Sequence, residues 1–198
     1  MKNWCLGVDL CDDYSQISYY NRKTASAEAV AAGQDDRFCL IPTILYKKKG
    51  ADQWYIGQDA YHHALNGEGV IIDNLISMAV KSGTATVEDR KYTALELLER
   101  YIGKLLAMIL EDEDSRIIQL VFTVQKLEPG LMDLLVNVGD RLHISRDAIH
   151  IVSHSEAYLY YVLSHNGNRP QNASCLFDLS ESGFHYYEMR MVRNQKPQ

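Results

Sequence analysis

The sequence predicts an α/β domain in which a mixed sheet is flanked by helices, and three observations carry that reading. Near each end of the chain a short apolar strand runs into an aspartate, turns and comes back: Leu6-Gly7-Val8-Asp9-Leu10-Cys11-Asp12-Asp13-Tyr14-Ser15, and Cys175-Leu176-Phe177-Asp178-Leu179-Ser180-Glu181-Ser182-Gly183-Phe184. In the second half, strand-like runs alternate with amphipathic helical patterns, giving an order that ends β-α-β-α-β-β. The length of 198 residues, with ordinary apolar content, allows one substantial core, in one large domain or two small subdomains.

Taken in order, Trp4 to Leu10 and Tyr14 to Asn21 form a hairpin around Cys11-Asp12-Asp13. Thr24 to Asp36 is Ala-rich and weakly patterned, a loop or a ragged strand. Phe38 to Tyr46 is extended, as is the stretch ending in Trp54-Tyr55-Ile56-Gly57. Helical spacing marks Gln58 to Leu65 and then Val70 to Val80, before a Gly/Thr stretch at Ser82 to Thr86 breaks it. The longest helix is expected from about Ala94 to Leu110: Thr93 and Glu96 make a capping box, and Leu95, Leu98, Ile102, Leu105, Leu106 and Ile109 form its stripe. Glu111-Asp112-Glu113-Asp114 ends it in solvent, as a charged loop, since adjacent carboxylates point in different directions. A strand from Ile117 to Val124 follows. Pro129 then opens a helix with Leu131, Leu134, Leu135, Val138 and Leu142 at helical spacing. Ile149 to Val152 is a strand, His154 to Ser164 a helix, and Asn166-Gly167-Asn168-Arg169-Pro170 a turn before the last hairpin.

Composition excludes several classes of function. A formal charge of −6 argues against a general nucleic-acid or anionic-membrane surface, which calls for a basic face. Lys47-Lys48-Lys49-Gly50 reads as a solvated hairpin turn. The four cysteines, Cys5, Cys11, Cys39 and Cys175, lack metal-ligand spacing, and His62 and His63 diverge on a helix. Without a signal peptide or a long apolar span, the expected location is the reducing cytoplasm.

The chemistry-bearing residues cluster at the two turns. Turn amides bind an anion and carboxylates orient hydrated Mg²⁺, so two hairpins tipped by Asp9 and Asp178 can hold a metal-bound phosphate between them. Strand-ending aspartates also cap turns, and that reading stays open. His154 stands where a base could act, but Ser153 and Glu156 explain the segment equally as a capping box. Tyr158, Tyr160 and Tyr161 make the last helix apolar around more of its circumference than one buried face requires. At least one of these rings is therefore expected to be exposed or covered by a neighbouring chain.

These segments resemble the phosphate loops of the actin-like ATPase superfamily: actin, the heat-shock chaperone ATPases and the sugar kinases. Trp54-Tyr55-Ile56-Gly57 is similar to the chaperones' run into a helix beginning Ile-Gly, Leu120-Val121-Phe122-Thr123-Val124 to the superfamily's buried strand, and Ile149-His150-Ile151-Val152 to the strand before its connecting helix. The resemblance implies a ribonuclease-H-like sheet. It makes Asp9 and Asp178 the metal-orienting pair and gives His154 the place of the glutamate or glutamine near the attacking water. Asp9, Asp178 and His154 become the candidate catalytic residues, while Cys11, Asp12, Asp13, Tyr14, Ser180, Glu181, Ser182 and Gly183 are the candidate phosphate-binding ones.

The turns depart from the family. Cys11-Asp12-Asp13 stands where the chaperones have Gly-Thr-Thr, and Ser180-Glu181-Ser182-Gly183 where they have Gly-Gly-Gly-Thr. Glycine lets amides approach a phosphate without a Cβ in the way. An acid about 4 Å from a polyanion costs on the order of a few kcal/mol per pair. The chaperones' catalytic lysine has no counterpart in Ile71-Ile72-Asp73-Asn74-Leu75, and Lys81 is the nearest candidate.

Residues 1–192 are thus expected to form one lobe of a longer, bacterial-type actin-like protein, its N-terminal lobe, with a less regular insertion at about 24–92 and a linker or terminal tail at 193–198. The expected function is a degenerate nucleotide-binding or interaction scaffold, with ATP and Mg²⁺ held weakly or not at all by this chain alone. The alternative is half of a working ATPase or kinase whose second lobe lies elsewhere. A second lobe, in the parent protein or another chain, is the expected partner, self-association is a further option, and neither nucleic acid nor membrane is expected.

Overall fold

The computed structural model describes residues 2–32, 39–110, 115–165, 173–180 and 183–190. Strands β1 (Lys2–Leu10) and β2 (Tyr14–Asn21) form the first hairpin, and β3 (Ser26–Ala29) and β4 (Ile41–Pro42) both pair with β2. A smaller antiparallel sheet, ordered β6-β5-β7, is built from β5 (Leu45–Lys48), β6 (Trp54–Ile56) and β7 (Gly69–Ile72), with helix α1 (Gly57–Asn66) between the last two. Next come α2 (Leu75–Val80), the hairpin β8 (Thr84–Val87) and β9 (Arg90–Thr93), and α3 (Ala94–Ala107). The chain continues through β10 (Ser115–Val124), α4 (Pro129–Arg141), β11 (Ile149–Ser153) and α5 (His154–His165) to a closing hairpin, β12 (Ala173–Ser180) and β13 (Gly183–Arg190).

The main sheet is mixed, as expected. Its order is β11-β10-β1-β2-β3, with β1, β10 and β11 parallel and β2 antiparallel to β1. Alternation along the strands sends Leu6, Val8, Leu10, Ile17, Leu120, Phe122 and Val124 into one core with the buried seam of α3, including Leu97, Tyr101 and Leu105. Each such side chain contributes roughly 1.5–3 kcal/mol on burial. The capping box of Thr93 and Glu96 starts α3, and Pro129 opens α4. At Gly139 helix α4 meets β11 so closely that a Cβ would lie 2.2 Å from Ile149 Cδ1. The same alternation leaves Asp9 and Thr123 on the opposite face, where α5 stands beside Val121, Thr123 and His150.

Several local expectations need correction. Val70 to Val80 is two elements: the β-branched run Val70-Ile71-Ile72 pairs with β5, and Asn74, at φ 53°, turns the chain before α2 begins. The stretch from Ser82 does end the helix, and it leads into the β8–β9 hairpin. The stripe of α3 is buried at Leu98, Ile102, Leu105, Leu106 and Ile109 as expected, but it also takes in Leu97 and Tyr101 and leaves Leu95 half-buried; α3 packs against both α2 and α4. Lys47 is no solvated turn residue: its stem is buried and its Nζ donates to Glu88 Oε2 at 3.1 Å and to the Ala51 carbonyl at 3.2 Å. Lys49, by contrast, is exposed and pairs with Glu68. The acidic loop 111–114, the turn 166–170, Phe38 and the tail 193–198 lie outside the described residues.

Candidate functional site

Three parallel strands deliver their C-terminal ends to one place. Asp9 lies beside Thr123 in the β1–β10 register, Val124 lies beside Ser153 in the β10–β11 register, and His154 follows Ser153 as the first residue of α5. Ser153 Oγ accepts from the Glu156 amide at 3.2 Å, so the predicted N-cap forms and fixes where His154 projects. Beyond α5, the half-buried side of β12 brings Asp178 back to the same point.

The centre of the site is the His154 ring. Nε2 lies 2.9 Å from Asp9 Oδ1 and Nδ1 lies 2.9 Å from Asp178 Oδ2. The two aspartates that tip the hairpins therefore meet through one imidazole. The Thr123 hydroxyl donates to Asp9 Oδ1 at 2.5 Å, and Cys11 Sγ lies 3.9 Å from His154 Nε2. Burial opposes charging the ring, but hydrogen bonding to Asp9 and Cys11, the Asp9 charge and the bond to Asp178 outweigh it and raise the pKa from 6.5 to about 11. For Asp9, burial pushes the carboxyl up, yet His154, Thr123 and the Leu10 amide outweigh it and leave it below the ordinary value. Burial raises the Cys11 thiol, and the Asp9 and Asp13 charges add to it against the pull of His154. With each ring nitrogen donating to a carboxylate, His154 is an imidazolium with no lone pair left to accept a proton, and Cys11 is held as a thiol rather than an activated thiolate.

The remaining predicted residues divide between uses. Asp12 accepts from the amides of Ile76 at 2.8 Å and Ser77 at 3.1 Å and from the Ser77 hydroxyl at 2.5 Å, so it caps α2 from a distant loop. That role escaped the sequence reading, and no signal in the sequence pointed to it: Asn74 is itself a favoured N-cap residue, yet at φ 53° it makes no cap bond. The Asp13 carboxylate accepts from the Tyr14 amide at 2.8 Å and its carbonyl from the Thr43 amide at 3.0 Å, so it shapes the turn. Tyr14 is exposed, while Ser15 is buried against Thr43 at 2.8 Å. Ser180 and Gly183 close the β12–β13 ladder, with Gly183 at φ 130°, and Glu181 and Ser182 lie outside the described residues. Lys81 is exposed and lines one cavity with Cys11, Asp12, Val80 and Gln125.

The surface around α5 is apolar and open. Tyr158, Tyr160 and Tyr161 are 37%, 61% and 58% exposed, so none of the three is core. On the outer face of the closing hairpin, Phe177 lies 5.7 Å from Phe184 and 5.3 Å from Tyr186, ring centre to ring centre, all three more than half exposed. Among the described residues, no helix is long and apolar enough to cross a membrane.

Fold and site together define an α/β domain with a polar clip at the C-terminal ends of its parallel strands. Residues 26–198 match the family described as a family of unknown function (DUF5716) C-terminal, and the chain belongs to that family. No curated protein matches it.

Proposed function

We propose that this chain is one lobe, of the N-terminal kind, of a divergent actin-like protein, and that it works as an interaction scaffold with a degenerate nucleotide site. The sheet order β3-β2-β1-β10-β11, with only β2 running against the others along that path, supports a ribonuclease-H-like arrangement. The observation that carries the functional reading is the clip: the two carboxylates that would orient a hydrated Mg²⁺ are both bonded to the His154 imidazolium.

The residues do not fit a metal-bound triphosphate. A cation already lies between the aspartates. None of Cys11, Asp12 and Asp13 adopts the positive φ with which nested amides turn toward an anion. The Asp12 carboxylate takes the α2 amides for itself. What the arrangement does is mechanical: it ties β1, α5 and β12 together through two charge-assisted hydrogen bonds, each stronger than a neutral one. The open aromatic surface of α5 and the closing hairpin suits a partner such as a second lobe, in the same protein or another chain, in a cytoplasmic setting. Calorimetric titration with ATP·Mg tests the reading. The expected result is no saturable heat; a dissociation constant in the low micromolar range would overturn it in favour of half of a working ATPase or kinase.

A further inference from the structure

Asp9, Cys11 and His154 offer three chemically different ligands at one point. The ligand atoms, a carboxylate oxygen, a thiol sulfur and an imidazole nitrogen, all lie within 4.8 Å of one another. They come from the end of β1, the β1–β2 turn and the start of α5, which explains why spacing along the chain gave no hint of them. In tetrahedral zinc the metal–ligand bonds of about 2.0–2.3 Å place ligand atoms roughly 3.3–3.6 Å apart. The distances of 2.9 Å from Nε2 to Asp9 Oδ1 and 3.9 Å from Nε2 to Cys11 Sγ bracket that range, and with every pair inside 4.8 Å, shifts of about 1 Å suffice.

We propose that Asp9, Cys11 and His154 form a binding site for a divalent transition-metal ion of the zinc type. The donor set decides the class, since a thiolate and an imidazole select zinc-like ions over Mg²⁺, which takes hard oxygens. The outer shell is in place: Asp178 holds Nδ1 and so directs Nε2 at the ion, and Thr123 holds Asp9. Three protein ligands leave a fourth position open for water or a partner's side chain. The Asp9 side chain is 45% exposed, which gives an ion a way in from solvent. The exchange balances: the ion takes the place of the His154 Nε2 proton and the Cys11 thiol proton, two positive charges enter as two leave, and the formal charge of the cluster is unchanged. The clip between β1, α5 and β12 persists, with metal replacing proton on the β1 side. The inference stands on this geometry alone and does not depend on the outcome of nucleotide titration.

Titration of the full chain with cobalt(II) tests it. The expected result is a thiolate-to-cobalt charge-transfer band that saturates at one ion per chain, disappears on adding one equivalent of zinc, and is absent in Cys11→Ser but kept in Cys5→Ser and Cys175→Ser. Asp178→Asn should weaken cobalt binding about 10–100-fold. No band from the unmodified chain, or a band that survives Cys11→Ser, would overturn the proposal.

Discussion

The two Asp-ended hairpins begin from the same local pattern and end in opposite environments. In β1–β2, Leu6, Val8, Leu10 and Ile17 are buried, β1 has β10 on its other side and β2 has β3, so both strands are interior to a six-stranded sheet. The β12–β13 pair is a sheet of two strands, with Phe177, Leu179, Phe184 and Tyr186 open to solvent on its outer face. A lone hairpin is marginal in water. This one is held by its inner face, through Asp178 on His154 and the Tyr187 hydroxyl on the Gln125 carbonyl at 3.3 Å. Embedding, and not the strand-turn-strand pattern, sets how firmly each aspartate is presented.

The largest expected effect separates the hairpins by burial. Ile17→Ala removes a side chain with no exposed surface and should cost about 2–5 kcal/mol, whereas Phe177→Ala, at a position 59% exposed, should fall within about 0.5 kcal/mol of the unmodified chain. Denaturant unfolding of both variants gives the comparison. A large loss at Phe177 would mean that the outer face is already covered, by self-association, and sedimentation would reveal it.

A second contrast should appear in amide hydrogen exchange. Amides of β1 and β2 open with the whole domain, while those of β12 and β13 open locally, so the second hairpin should exchange faster by on the order of a hundredfold or more. Equal protection in the two hairpins would break the comparison.

Much of this was legible in the sequence, and the reasons are local. The apolar period and capping box of α3, Pro129 at the start of α4 and the alternation of β1 and β10 all act within a few residues, and each element formed where the pattern placed it. What escaped depends on contacts across long stretches of chain. Ile71 and Ile72 fit a helix or a strand equally until β5 offers its edge, and Lys47 is buried because Glu88 reaches it from the β8–β9 turn. Asp9 and Asp178 were recognisable as strand-ending carboxylates. That one imidazole joins them was not, since the bond spans the sheet and three separate elements.

The smallest expected effect concerns the tyrosine beneath each hairpin. Tyr101 is buried and donates to the Pro42 carbonyl at 3.3 Å, next to the Ser15–Thr43 pair that follows the first turn. Tyr187 is half-buried and donates to Gln125 from the second hairpin. Tyr101→Phe should cost about 1 kcal/mol and Tyr187→Phe less, because water can replace the partner of a half-buried carbonyl. The pH dependence sharpens the difference. Burial drives the Tyr101 phenol up to about 12 from an ordinary 10, against the opposing bonds to Ser15 and Thr43. The native state therefore keeps a proton that the unfolded chain releases. This contribution to stability is fully present below about pH 10 and is lost as pH rises through about 12. Urea unfolding midpoints measured at alkaline pH should fall less steeply in Tyr101→Phe than in the unmodified chain. Parallel curves for the two proteins would show that the Tyr101 phenol is not kept dry in the native state.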